Sequence, residues 1–247
     1  MIRKNEGEMV WFEFEILQGH PLVHGVFTRR GGVSEPPFNS LNLADNLGDD
    51  PDAVIENKRR IAKALDINLP IFLNQVHSDR VHEIVLSDQV LEADGMVTCQ
   101  KDIPIAIRHA DCQAAIFYDP VHHAVANVHA GWRGNVQNIY AKTVEKMIRL
   151  FGTDPEELIV CISPSLGPKH AEFVNYENEL PRDFWIHKNE KHQFNLWSIA
   201  KDQLTAMKIP DSQIEIASFC TFENKDDFFS YRRSKLTGRN ATIVCLD

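Results

Sequence analysis

The sequence predicts an α+β fold in a single domain spanning residues 1–247, with mixed β-sheets covered by helices. Three observations lead there. Strand-like apolar runs far outnumber helical patterns, the two kinds mix irregularly rather than as a βαβ repeat, and no internal repeat, low-complexity tract or Gly/Ser linker divides the chain. The strand runs fall at residues 23–28, 71–76, 81–85, 103–110, 114–118, 124–129, 158–162, 214–219, 228–232 and 241–246. A first helix opens on Asp50 as N-cap with Pro51 at its first position, and sets Val54, Ile55, Ile61, Ala62 and Leu65 on one face. A second starts just after Gly134 and aligns Val136, Ile139, Tyr140, Thr143, Val144, Met147, Ile148 and Phe151, with Gly152 past its end. A third follows Asn195, carries Leu196, Ile199, Ala200, Leu204 and Met207, and stops before Pro210.

With 43% hydrophobic and 25% charged residues, the chain has the balance of an ordinary globular protein that buries a core without metal or disulfide support. Its formal charge of −9 argues against nucleic acid and anionic membranes as partners, because both demand clustered Lys and Arg. The five cysteines are odd in number and include no CxxC pair, which speaks against a disulfide framework and for a reducing cytoplasm. Residues 1–8 run into acidic side chains instead of an apolar leader, and no apolar run approaches bilayer length. A soluble, unprocessed protein is expected, as a monomer or homodimer.

His77, Cys112 and His129 each stand where a predicted strand gives way to a turn, within Gln75-Val76-His77, Ala110-Asp111-Cys112 and His129-Ala130-Gly131-Trp132-Arg133-Gly134. Two imidazoles and a thiolate bind zinc and leave a fourth position for water. Alternation along strands lets such terminal side chains converge, and the wide separations fit separate strands rather than a zinc finger. Taken singly, a cysteine or a lone strand-end histidine is more often a structural core residue. Spacing alone leaves the two readings level.

These stretches resemble the laccase-domain (multicopper polyphenol oxidase) family, also described as YfiH-like purine nucleoside phosphorylases. The similarity runs from His24-Gly25-Val26-Phe27-Thr28-Arg29-Arg30-Gly31-Gly32 through Ser40-Leu41-Asn42-Leu43 and Gly48-Asp49-Asp50-Pro51 to Phe228-Phe229-Ser230-Tyr231-Arg232-Arg233. The resemblance implies α/β/β/α layering and zinc held by His77, Cys112 and His129. It also implies phosphorolysis of adenosine, inosine and methylthioadenosine, with adenosine deamination as a companion activity; the partners are purine nucleosides and phosphate. Two stretches depart from the family pattern. His109-Ala110-Asp111-Cys112 replaces Thr-Ala-Asp-Cys, and Gly167-Pro168-Lys169-His170-Ala171-Glu172 replaces Gly-Pro-Cys-Cys-Tyr-Glu. By alternation, His109 is expected beside the metal ligands or turned into a neighbouring polar contact.

Cys112 and Asp111 are the expected catalytic residues, Asp111 either as proton shuttle or, preferentially, as the carboxylate that orients His77 or His129. Arg133, Arg232, Arg233 and the helix end near Asn135 are candidate phosphate contacts. Asn42 and Gln75, with Asn39, Ser40 and Asn74, are candidates for ribose or base. Three other readings compete. A copper (Cu2+) oxidase is disfavoured because the chain contains no His-x-His pair. A cysteine hydrolase built on Cys112 and His129 leaves His77 without a task. The last is a non-catalytic, zinc-stabilised binding module.

Overall fold

A computed structural model describes residues 1–85 and 92–247. Its strands are β1 (Ile2–Glu6), β2 (Met9–Glu13), β3 (Leu22–Phe27), β4 (Ile71–Phe72), β5 (Val81–Glu83), β6 (Gly95–Thr98), β7 (Ile105–His109), β8 (Gln113–Asp119), β9 (Ala124–Ala130), β10 (Ile159–Ile162), β11 (Ile214–Ile216) and β12 (Asn240–Leu246). The α-helices are α1 (Pro51–Leu65), α2 (Trp132–Val136), α3 (Ile139–Phe151), α4 (Tyr176–Glu179) and α5 (Leu196–Ala206). The strands form two six-stranded sheets, ordered β1-β2-β3-β12-β7-β4 and β11-β10-β8-β9-β6-β5. Both are mixed: β4 runs parallel to β7, β5 to β6 and β10 to β11, and the remaining pairs are antiparallel.

Period-two alternation builds the layers. In β7, Ile105 and Ile107 meet Ile116 and Tyr118 of β8 and Val125 of β9 in a core between the sheets. Ala106 faces the other way, with Phe27 and Ile243, toward Ile61 and Leu65 of α1. Ala115, Phe117, Ala126 and Val128 on the far side of the second sheet meet Ile139, Tyr140 and Val144 of α3 and Leu204 of α5. The result is helix, sheet, sheet, helix. Asn127 ties the sheets together, its amide donating to the Ile105 and Thr242 carbonyls at 3.0 and 2.8 Å. No helix among the described residues is long and apolar enough to cross a membrane.

Asp50 caps α1 as its sequence predicts, accepting from the Asp52 N–H, although Ile55 points to solvent. Asn195 caps α5 through the Ser198 N–H. Two expectations need correction. The stripe expected from Val136 to Phe151 is two helices: Gln137 closes α2, and Asn138, at φ 52°, caps α3 by accepting from the Ala141 N–H. Residues 228–232 are not a strand. Phe228 and Phe229 are buried in a loop, and the side-chain amide of Asn240 pairs with both backbone groups of Phe229 in place of a ladder. Finally, β1 and β2 form an unforeseen hairpin in which Glu6 pairs with Met9 across Gly7-Glu8, Gly7 taking φ +58°.

Candidate metal centre

β4 stops at Phe72, short of the strand expected over 71–76, and His77 sits in the loop that leads on to β5; Cys112 sits in the tight connection between β7 and β8, and His129 is the penultimate residue of β9. Val125, Asn127 and His129 share the inter-sheet face of β9, so the strand delivers the buried imidazole to the end of the core. The three side chains offer ligand atoms that all lie within 4.8 Å of one another. The His77 and His129 rings meet nearly edge-on, with centroids 4.8 Å apart.

A single carboxylate organises the group. Fully buried Asp94, just before β6, accepts from His129 Nδ1 at 2.8 Å, leaving Nε2 for a ligand. The same carboxylate accepts from the Val76, His77 and Ser78 backbone N–H groups and from Ser78 Oγ. Those bonds hold His77 at φ 59°, a left-handed conformation costly for a residue with a Cβ. Asp94 therefore takes the orienting role expected of Asp111. The Asp111 carboxylate is turned away, accepting from Thr221 Oγ1 and the Arg232 N–H, both at 2.6 Å.

Electrostatics prepare a ligand-ready thiolate. Burial opposes ionisation of Cys112, yet the His129 and His77 imidazoles outweigh it and bring the thiol down to about 6. Burial also disfavours the His129 imidazolium, but Cys112 and Asp94 raise it to about 9. Burial pushes Asp94 up, and its hydrogen bonds from His129 and Ser78 more than reverse this, to about 2. His109 is different. It is buried with Nε2 3.0 Å from Thr242 Oγ1 and Nδ1 without a partner among the described residues, and burial lowers it to about 3. Its contact with Thr242 is the second of the two placements that alternation allowed.

Two clefts meet at this centre, and both are lined by Cys112 and Trp132. The larger, about 560 Å³, carries His77, His129, Arg108, Arg133 and Arg239. The smaller, about 320 Å³, is more apolar, with Leu166, Phe173 and Leu196 among its walls. Arg133 lies over the Trp132 ring, 4.4 Å from its centroid, and lines the larger cleft. The helix that carries Arg133, α2, is only five residues long, so the arginines, not a helix dipole, make that cleft electropositive. Gln75 also lines it, its amide pairing with both backbone groups of Arg108. Arg232 lines the apolar cleft.

Four expected contacts lie elsewhere, Asn39 and Ser40 among them in a separate cleft beside Arg29 and Arg30. Arg233 donates to the Thr221, Phe222 and Phe228 carbonyls and borders neither cleft. Asn42 is fully buried, donating to Ala44 O and Asp49 while accepting from the Ala44 and Arg239 N–H groups. Both are loop staples. Asp94, Arg239 and Gly131 escaped sequence reasoning. A Cβ on Gly131 would stand 3.1 Å from Cys112 Sγ and 2.9 Å from His77 Cδ2, so only glycine keeps the space between those donors clear.

Residues 23–247 match the family model described as "Multi-copper polyphenol oxidoreductase laccase". The chain belongs to that family. It is 35% identical over 228 residues to a Haemophilus influenzae protein named purine nucleoside phosphorylase, covering 88% of this chain and 91% of that one. It is 32% identical over 229 residues to Escherichia coli purine nucleoside phosphorylase YfiH, covering 89% and 91%. The crystal structure of Bacillus licheniformis YfiH superposes with a TM-score of 0.90 at 29% identity over 99% of both chains. YlmD from Geobacillus stearothermophilus gives 0.89 at 27%, covering 99% and 98%. This family member therefore shares its α+β architecture of two mixed sheets with solved relatives along its whole length.

Proposed function

We propose that this chain is a zinc-dependent purine nucleoside phosphorylase that cleaves adenosine, inosine and methylthioadenosine, and that it deaminates adenosine at the same centre. One observation carries the reading: two imidazoles and an acidified thiol converge where an arginine-bearing cleft meets an apolar one. The names of the curated relatives agree with it. His77, Cys112 and His129 would hold the metal, and the soft thiolate with two imidazoles suits zinc. The space that Gly131 leaves between the donors accommodates it. Bound zinc supplies a Lewis acid and lowers the pKa of a bound water to about 7.

In this reading Arg133 and Arg239 receive phosphate in the larger cleft, where charge-assisted hydrogen bonds hold an anion against a chain of net negative charge. Trp132, Phe173 and Leu196 offer the purine an apolar wall in the smaller one. Cys112 and Trp132 border both, so the bond between sugar and base would lie above them. Asp94 keeps His129 from turning, and Asp111 fixes the backbone of Arg232 at the rim. The copper-oxidase reading finds no further histidine set around the centre among the described residues.

The test is incubation with adenosine, with and without phosphate. Adenine plus ribose 1-phosphate is expected only with phosphate, and inosine without it. Neither product appearing from zinc-loaded protein overturns the reading. Arg133→Ala should raise the KM for phosphate about tenfold, equivalent to about 1.4 kcal/mol, with a smaller change for adenosine.

A further inference from the structure

The departure at residues 167–172 brings a second set of metal donors together. His170, Cys220 and Glu223 offer ligand atoms that all lie within 4.8 Å of one another. His170 Nε2 is 3.0 Å from Glu223 Oε1, and the His170 ring stacks on Phe222 at 4.2 Å and 23°. Buried Cys220 turns its sulfur to the same point, and Sγ accepts from the Gly167 N–H at 3.2 Å. That approach depends on glycine: a Cβ at position 167 would stand 3.0 Å from Cys220 Cβ and 3.1 Å from Sγ.

We propose that His170, Cys220 and Glu223 form a second zinc site, structural in role, that pins the 165–172 segment to the 219–224 loop. Imidazole, thiolate and carboxylate are all established zinc donors, whereas magnesium and calcium take oxygen alone. Zinc bond lengths of about 2.0–2.3 Å set tetrahedral edges of about 3.3–3.7 Å. The His170–Glu223 contact is already that short. His170 and Glu223 are both partly exposed, so small rotations of these two side chains toward buried Cys220 close the remaining separation. Arg233 braces the same loop, its guanidinium donating to the Thr221 and Phe222 carbonyls.

The pinned segments border the first centre. Leu166 and Glu172 line the apolar cleft, and Thr221 Oγ1 and the Leu166 N–H both bind Asp111. A metal here braces one wall of the substrate site whatever reaction the first centre runs.

Zinc content after desalting and cobalt(II) absorption test the site. Wild type should retain about two zinc ions per chain, and Cys112→Ala and His170→Ala about one each. In Cys112→Ala, added Co2+ should give a thiolate-to-metal charge-transfer band that disappears in Cys112→Ala/Cys220→Ser. His170→Ala replaces a partly exposed ring, so its zinc count can be read even if the cysteine variants fold poorly. Unchanged zinc in His170→Ala overturns the proposal, as does a cobalt band that is absent from Cys112→Ala or persists in Cys112→Ala/Cys220→Ser.

Discussion

The two donor clusters share a histidine and a cysteine but differ in what stands behind them. At the first, Asp94 is wholly buried and grips His129 through its ring and His77 through its backbone. At the second, His170 is steered by a stacked Phe222 and a carboxylate that is 50% exposed. Fixed donors bind metal without an ordering cost, and a surface carboxylate must be immobilised first. A metal at the rigid cluster would therefore be held more tightly than one at the loop cluster.

Cys112→Ala gives the largest expected effect. It should cut turnover by about 10²–10⁴-fold, as losses of positioned catalytic groups do. Cys220→Ser should act mainly on stability, where 1 kcal/mol moves the Tm of a chain this size by about 2–4 °C. Steady-state rates and melting curves of the two variants side by side check this, and equal losses of turnover would erase the distinction. Asp94→Asn comes next. Its amide places donors against donors, so zinc affinity should fall about 10–100-fold at the first cluster, read by competition with a chromophoric chelator. A Glu223→Gln variant should weaken the second cluster by less.

The sequence showed the candidate ligands better than their supports. His77, Cys112 and His129 were legible because each ends or follows an apolar run. Asp94 was not, because it lies 35 residues before His129 and reaches it only once β6 pairs with β9. Neighbouring arginines read alike in sequence, yet Arg232 reaches the rim while Arg233 caps three carbonyls. The break at Asn138 was hidden because Val136 and Ile139 keep helical spacing across it. The core layers were legible from alternation, whereas the order of strands in each sheet depends on long-range pairing that no local pattern records.

The smallest effect separates the clusters by pH. In metal-free protein the first cluster holds a Cys112 thiolate beside a His129 imidazolium. The folded Cys112 value, about 6, lies below its reference of 9.0, so its contribution is lost as pH falls through about 6. The folded His129 value, about 9, lies above its reference of 6.5, so its contribution is lost as pH rises through about 9. The two dependences oppose each other over nearly the same window, so the Tm of metal-free protein should stay almost level between pH 6.5 and 9 and beyond. Zinc requires His129 neutral and Cys112 ionised, so its binding displaces the His129 proton below about 9 and the Cys112 proton as well below about 6. Melting curves from pH 5 to 10 should therefore climb with pH up to about 9 in zinc-loaded protein and run nearly flat after chelation. A zinc-loaded curve as flat as the metal-free one would mean that His129 keeps its proton and is not a ligand.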